Sequence, residues 1–446
     1  MIQADDGAVR DFLKGLFAAA VNASRGDRVI PAVSSLHGNR WIYAGPGGAL
    51  ELELPTGSGR IIVIGAGKAA VSMASGLEAV LADRIDSGLV IVKRGAAAPL
   101  RRIECREGGH PVPDASSAQA TRELLNVVDQ AQPHDVVFFL LSGGASSLLC
   151  QPVDAVAFPD KAMANRLLVT SGASIAEINA VRKHLSAVKG GRLRLRCRAT
   201  TFCTLAISDV IGDDPSTIGS GPSIADASTF GGALAVIDKY GLAGDMPGSV
   251  LAYLRRGEQE TPKPGDTSSQ VNYRVIASNR VALDAAAAFA TSRGFAVRTL
   301  TDRMAGHTHD AAREFALNVR RLATGNAVPQ VVLAGGETTL AVTGKGTGGR
   351  NQEFAAVAAM HLQGIENVSL LAAGTDGTDG PTDAAGAFAD GATLQRVRAV
   401  NRDLQAHLAD NDVYPLLEAT GDLYKSGPTG TNVMDLVAAL IGGPDL

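Results

Sequence analysis

Aromatic residues make up only 4% of the 446-residue chain, and cysteines number four. Cys105, Cys150, Cys197 and Cys203 form no C-x-x-C pair, and no histidine cluster completes a zinc pattern. A zinc-built or disulfide-built scaffold is excluded, and the thiols read as reduced side chains in a reducing compartment. No apolar run approaches the roughly 18 residues of a membrane span, so no membrane role is expected. The longest buried-looking run, 136–141, is strand-sized. The opening MIQADD lacks the basic and apolar regions of a secretory signal, and a cytoplasmic protein is expected. Positive charge is not in excess either: 41 Lys and Arg stand against 45 Asp and Glu, a formal net charge of -4. A nucleic-acid partner, which selects a basic field, is not expected.

Glycine is abundant, with 51 residues, well above the usual share of about 7%. Much of it sits in tight clusters, where backbone can approach a ligand closely. The chain is too long for one ordinary core, so two domains are expected. Short, largely apolar segments rich in β-branched residues at 61–64, 88–92, 136–141, 203–207, 273–277, 296–300, 330–333 and 368–372 read as strands of a sheet buried on both faces. Helical periodicity follows Gly67, runs from Ser174 to the Gly190-Gly191 pair, and runs from about Asp310 to Gly325-Asn326. The fold class is therefore α/β: two domains, each a mostly parallel or mixed sheet with flanking helices. The polar, proline-bearing stretch 257–270 reads as a linker. It separates a Rossmann-like domain at 1–256, joined by an apolar tail at 433–446, from a second domain at 271–432.

Ligands of α/β sheets gather beyond the carboxyl ends of strands. After Ile64 comes Gly65-Ala66-Gly67-Lys68, either an anion site at a helix N-terminus or a tight turn with an exposed lysine. It is not a Walker A loop, although it fits the looser G-x-G-x-x-A dinucleotide pattern. Lys93 and Arg94 end the next strand, where a solvated pair is the plainer reading. After Leu141, Ser142-Gly143-Gly144-Ala145-Ser146 suits a backbone cradle for phosphate. Asp209 follows Ile207 as a candidate magnesium ligand, while Asp213 and Asp214 read as turn residues. After Leu333, Gly335-Gly336-Glu337 leads to a glycine-rich run ending Gly348-Gly349-Arg350, an anion loop closed by a guanidinium. Thr375, Asp376, Asp379 and Asp383 lie in a Gly/Asp turn that could hold Mg²⁺, bind hydroxyls or hydrogen-bond locally. His110 sits in a Gly/Pro loop, as ligand contact or structural histidine. Asn179, Arg182, Lys183, Ser186 and Lys189 form a polar stripe that is either solvated or a basic wall for a nucleotide.

The segments VIGAGKAA, GGHPVPDASS, LLSGGASSLL, INAVRKHLSAVKGGRL, ISDVIGDDPSTIGSGPS, GGETTLAVTGKGTGGRNQEFA, AAGTDGTDGPTDAAGA and GPTGTNVMDL follow one another from about Ile61 to Asp435. In that order they resemble the glycerate 2-kinase family, whose C-terminal part is the MOFRL domain. The resemblance implies an active site in the cleft between two α/β domains. It also implies transfer of the γ-phosphoryl group of ATP to the 2-hydroxyl of D-glycerate, with Mg²⁺. In that family a lysine of the GAGK segment and an arginine of the GGRNQE segment are key, here Lys68 and Arg350. These would neutralise the transferring group from opposite domains, with 142–146 cradling phosphates and Asp209, Asp376 or Asp379 toward the metal. The partners expected are small molecules, glycerate and ATP, and a homodimer is left open. Relatives of the family often carry the label hydroxypyruvate reductase, and the G-x-G-x-x-A turn with Lys93-Arg94 could suit NADPH. Hydride transfer, however, gives no reason for the second anion loop or the aspartate cluster. A non-catalytic metabolite sensor is a third reading, without a recognisable partner-binding module.

Overall fold

The protein is described from a computed structural model, covering residues 6–266, 271–324 and 329–442. The chain divides into two compact units: Gly26–Ile276, and the described residues up to Arg25 together with those from Ala277 onward.

In the first unit, β1 (Ser34–His37), β2 (Arg40–Tyr43) and β3 (Leu50–Glu53) make a small antiparallel sheet. The main sheet comprises β4 (Ile61–Ala66), β5 (Ser87–Lys93), β6 (Glu104–Gly108), β7 (Val136–Ser142), β8 (Thr201–Ile207) and β9 (Asn272–Ala277). Its order is β6-β5-β4-β7-β8-β9, with parallel pairing from β6 through to β8. Every residue of β4 and β7 is buried, which is why both read as continuous apolar runs rather than alternating ones. From β4 the chain builds outward in one direction through β5 and β6, then returns to add β7 and β8 on the other side. The carboxyl ends of β4 and β7 therefore flank a topological switch point, where open α/β sheets bind ligands.

The second unit holds β10 (Ala296–Met304), β11 (Gln330–Gly336), β12 (Val368–Gly374), β13 (Gly386–Asp390), β14 (Leu423–Tyr424) and β15 (Asp435–Ile441). The order is β10-β11-β15-β12-β13-β14, and only β10–β11 is parallel. All eight strands expected from the sequence are present, each within a few residues of its expected bounds.

Three organisational expectations need correction. The apolar tail does not join the first unit: β15 lies between β11 and β12 at the centre of the second sheet. Each of its seven residues is buried, a demand that only a strand covered on both faces and paired on both edges can meet. Nor does the N-terminal helix, Asp6–Ser24, belong to the first unit. Its Phe12 packs 4.7 Å from Phe295 and 5.6 Å from Phe289 between ring centroids, and Arg10 pairs with buried Asp422 at 2.6 Å. The expected linker 257–270 is anchored over its described part: Glu260 accepts from His184 Nε2 at 2.7 Å, and the Thr261 hydroxyl donates to Asp226 at 3.1 Å. Residues 267–270 lie outside the described residues, as does the expected helix stop at 325–326.

Candidate active site

The GAGK turn is fastened to the end of β7. Lys68 N–H donates to the Gly143 carbonyl at 2.8 Å, and Ala69 N–H donates to Ser142 Oγ at 3.0 Å. Gly67 (φ +133°) has to be glycine, since a Cβ there would fall 2.1 Å from that hydroxyl oxygen. Gly144 (φ +82°) opens the short helix Ala145–Leu148; a Cβ on it would meet His110 Nε2 at 2.8 Å and Lys68 Cγ at 3.4 Å. His110, Lys68 and the 142–146 turn thus come together at the switch point, as the sequence suggests. The Gly65 to Ser146 candidates occupy this one place, though Gly65 itself is a packing position whose Cβ would strike the Leu140 carbonyl at 2.7 Å.

Next to this turn opens a cavity of about 200 Å³, lined among others by His110, Gly144, Ser146, Lys161, Arg182 and Lys189. Among the described residues no carboxylate lines it. Lys189 donates from Nζ to the Ser146 carbonyl at 2.6 Å and to its Oγ at 3.1 Å. Lys161 donates to the Gln151 carbonyl at 3.2 Å, and Arg182 Nε to Asn165 Oδ1 at 3.3 Å. Burial pushes Lys189 well below its ordinary pKa, reinforced by Lys161, and lowers Lys161 and Arg182 as well.

The polar stripe after Ser174 gains its geometry from a break the periodicity does not show. The Ser174/Glu177 capping box forms as expected, but the helix Ile175–His184 stops short of the expected glycine pair. Its apolar stripe continues through Leu185 and Val188 while the backbone leaves the helix to pair with 151–153: Val153 N–H donates to the Leu185 carbonyl at 3.3 Å and Ala187 N–H to Gln151 at 3.0 Å. The stripe is not solvated. Lys183 is buried on Asp226 at 3.1 Å, Asn179 accepts from Ser220, and Arg182 and Lys189 reach the cavity. Lys161 and Asn165 went unnoticed in the sequence. Their only signal is i,i+4 spacing of two polar groups on one face of Phe158–Thr170, a pattern that exposed helices share.

In the second unit, register places Gly336 and Gly374 on either side of Asp435. Arg350, the first residue of the helix Arg350–Leu362, grips Asp435 with Nε at 2.6 Å and Nη2 at 2.9 Å, while Nη1 lies 2.8 Å from Glu337. Among the described residues three of its five N–H donors are thereby used and two remain. Burial alone would lower the Arg350 pKa; the Asp435 charge outweighs it and the net shift is upward. Gly335 and Gly336 are close-approach positions: a Cβ on Gly335 would meet Asn279 Oδ1 at 2.0 Å, and one on Gly336 the Met304 carbonyl at 2.2 Å.

The glycine-rich run before Arg350 differs from the expected anion loop, because the chain supplies its own anions. Thr343 and Gly344 N–H donate to Asn411 Oδ1, Lys345 N–H to Asp410 Oδ1 at 2.9 Å, and Thr347 N–H to Asp412 Oδ1 at 2.9 Å. Gly348 and Gly349 are glycines for packing: a Cβ on the first would meet Val413 Cγ2 at 2.9 Å, one on the second Asp379 Cγ at 2.3 Å.

The aspartates divide by what they already hold. Asp379 accepts the N–H groups of Asn351 and Gln352 at 3.1 and 2.9 Å, one on each oxygen, which anchors the N-terminus of the Arg350 helix and does not suit a metal ligand. Thr375 is buried, donating to the Met434 carbonyl at 2.6 Å and accepting from Val433 N–H at 2.8 Å, so it ties β12 to the entry of β15. Asp376 accepts from Thr378 N–H and Oγ, both at 3.0 Å, as an Asx turn just past the end of β12. Asp214 caps a turn through Ser216 at 2.9 Å, and Asp213 takes φ +57°, as expected of turn residues. Among the described residues no group of three or more His, Cys, Asp or Glu could hold a metal ion. A nucleotide-borne Mg²⁺ needs only one or two carboxylates beside its phosphates, so Asp209 and Asp376, each following a strand end, remain compatible with it.

Fold and site together define an α/β protein of two units, the first with clustered cationic groups around a cavity beside its strand-end turns. Residues 12–255 match a family described as a domain of unknown function, DUF4147, and residues 330–435 match the MOFRL family. A D-glycerate 2-kinase of Thermotoga maritima is 42% identical over 386 residues, covering 86% of this chain and 91% of its own. A putative hydroxypyruvate reductase of Agrobacterium vitis is 40% identical over 443 residues, covering 98% of this chain and 96% of its own. The crystal structure of a glycerate kinase from T. maritima superimposes with a TM-score of 0.84 at 37% identity, covering 98% of this chain and 100% of that one. This chain belongs to the family that pairs these two regions, in which the glycerate 2-kinases fall.

Proposed function

We propose that this protein is an ATP-dependent glycerate 2-kinase, an alcohol-accepting phosphotransferase that converts D-glycerate and ATP to 2-phosphoglycerate and ADP. The observation that carries the reading is the carboxylate-free cavity beside Lys68, whose buried cations call for a small anionic substrate, in a chain 42% identical to a D-glycerate 2-kinase. In the transfer, the substrate 2-oxygen forms its bond to the γ-phosphorus as the bond to the bridging oxygen of ADP breaks, and the hydroxyl proton passes to solvent. Such transfer depends on positioning and charge stabilisation more than on covalent help from the protein. Lys68 is the first cation assigned to the transferring group. Arg350 is the second, acting through its two remaining N–H groups while Asp435 and Glu337 fix its plane. The 142–146 turn receives phosphate oxygens, and ATP would arrive as its Mg²⁺ complex, with Asp209 or Asp376 the carboxylate that would hold the ion.

Hydroxypyruvate reduction, the activity in the name of the A. vitis relative, finds less support. Arg94, one of the Lys93-Arg94 pair that could meet an NADPH phosphate, is held by Asp114 at 2.5 Å. The test is direct. Purified protein with D-glycerate, ATP and Mg²⁺ is coupled to enolase without phosphoglycerate mutase; a signal establishes the kinase and the 2-position together. Signal only after mutase is added would move the transfer to the 3-hydroxyl. Silence in both, with NAD(P)H consumed on hydroxypyruvate, would replace the kinase by the reductase.

A further inference from the structure

The cavity beside Lys68 contains an imbalance that the sequence motifs do not account for. Lys161 and Lys189 are almost fully buried, at 1% and 2% exposure. Among the described residues neither they nor Arg182 form an ion pair, and their protein partners are neutral oxygens only. Buried cations are ordinarily matched by an anion, because an isolated charge out of water is costly. The same helix shows the ordinary arrangement one position on, where Lys183 is buried on Asp226. The chain thus has the means to pair a buried lysine here and leaves three cations unmatched around one space.

We infer that Lys161, with Arg182 and Lys189, is the receptor for the carboxylate of a small hydroxy acid, and that Lys161 sets specificity for the acid over a neutral polyol. Its size suits a small acid: about 200 Å³ falls below the roughly 300 Å³ at which drug-sized sites begin. Place supports it too. Gly144, where a Cβ would fall against His110 and Lys68, forms part of the wall, so an acid seated on the cations has its hydroxyl end toward the GAGK lysine. Asn165 and the Ser146 and Ser147 hydroxyls supply neutral partners for the remaining oxygens. The identity of the acid as D-glycerate rests on the kinase reading; the carboxylate receptor does not.

The test compares the parent with Lys161→Met, Lys161→Arg and Arg182→Gln. Thermal melts are run without ligand, with D-glycerate and with glycerol, and KM is measured for D-glycerate and ATP separately. D-glycerate should raise the parent's melting temperature and glycerol should not. Lys161→Met should abolish that shift and raise the KM for D-glycerate by about 10- to 100-fold, the loss of one charge-assisted hydrogen bond. Its KM for ATP should stay within about twofold, and Lys161→Arg should recover part of the loss. The ligand-free melting temperature of Lys161→Met should equal or exceed the parent's, because an unmatched buried cation has been removed. A structural lysine would give the opposite, a lower melting temperature with both KM values disturbed, and that result overturns the inference. So does a raised KM for ATP with an unchanged KM for D-glycerate, which would hand the cavity to the nucleotide. Arg182→Gln, read in the same assays, decides the matter if Lys161→Met does not fold. A parent that makes no 2-phosphoglycerate, yet is stabilised by D-glycerate in a Lys161-dependent way, keeps the receptor and removes the kinase. An active parent with an indifferent Lys161→Met does the reverse.

Discussion

Two cationic sites of this molecule are built on opposite principles. Arg350 in the second unit is tied to Asp435 at 2.6 Å and Glu337 at 2.8 Å, so its charge is balanced and its orientation fixed before any ligand arrives. Lys161, Arg182 and Lys189 in the first unit have only neutral oxygens as partners among the described residues. A paired guanidinium costs little to keep and offers direction. An unpaired cluster costs stability and offers affinity, since a ligand that completes it gains what the fold has forgone. Positioning of a reacting group suits the first arrangement, and capture of a small anion the second.

The largest effect that would break this comparison is at Arg350. Arg350→Ala should cut turnover by about three orders of magnitude, the scale of a charge-stabilising arginine in phosphoryl transfer. It should also destabilise the protein by about 2–4 kcal/mol, because Asp435, 1% exposed, is left without its cation. Steady-state kinetics and denaturant unfolding check the two halves. The paired site must lose stability where Lys161→Met does not, and equal losses at both would erase the distinction.

Next in size is the support beneath Arg350. Gly349→Ala would place a methyl 2.3 Å from Asp379 Cγ, and should cost about 1–3 kcal/mol by chemical denaturation. An unchanged midpoint would mean that this packing is looser than described. Asp379 itself gives a signature in pH. Burial raises its pKa from 3.8 to about 6, against the helix N–H groups that favour the charge. The folded chain then holds this proton more tightly than the unfolded one, so the group's contribution to stability declines as pH rises from about 4 to about 6, by about 2–3 kcal/mol. Asp379→Asn should remove that decline: parent stability minus variant stability should fall across the same interval. A difference that is flat with pH would show that Asp379 titrates as an ordinary carboxylate.

The smallest expected effect is at Arg94. Its pair with Asp114 is exposed, and Arg94→Ala should change stability by no more than about 0.5 kcal/mol with glycerate turnover intact. A marked loss of turnover would bring the rejected phosphate role of the Lys93-Arg94 pair back into consideration.

The sequence was most informative where a local pattern carried one physical demand. All eight expected strands formed, although Ala296–Met304 is largely exposed rather than buried on both faces, and the GAGK and SGGAS turns showed as glycines at strand ends; both turns meet at the switch point. It misled where one pattern serves two ends. The run from Gly344 to Gly349 has the composition of a phosphate loop, but its amides go to Asp410, Asn411 and Asp412, more than sixty residues away. The tail from Val433 was legible as apolar and not as a central strand, since partners in a mixed sheet are not written in the strand itself.

By itself, then, the sequence determined the class of architecture and the strand-end turns, because strand burial and helix-terminal turns depend on residues within a few positions of one another. Tertiary structure alone decided which charges are satisfied. Whether Lys183 meets Asp226 and Lys161 the Gln151 carbonyl, or whether an aspartate caps a helix or faces solvent, depends on residues brought together from distant parts of the chain, and no spacing rule reports on that.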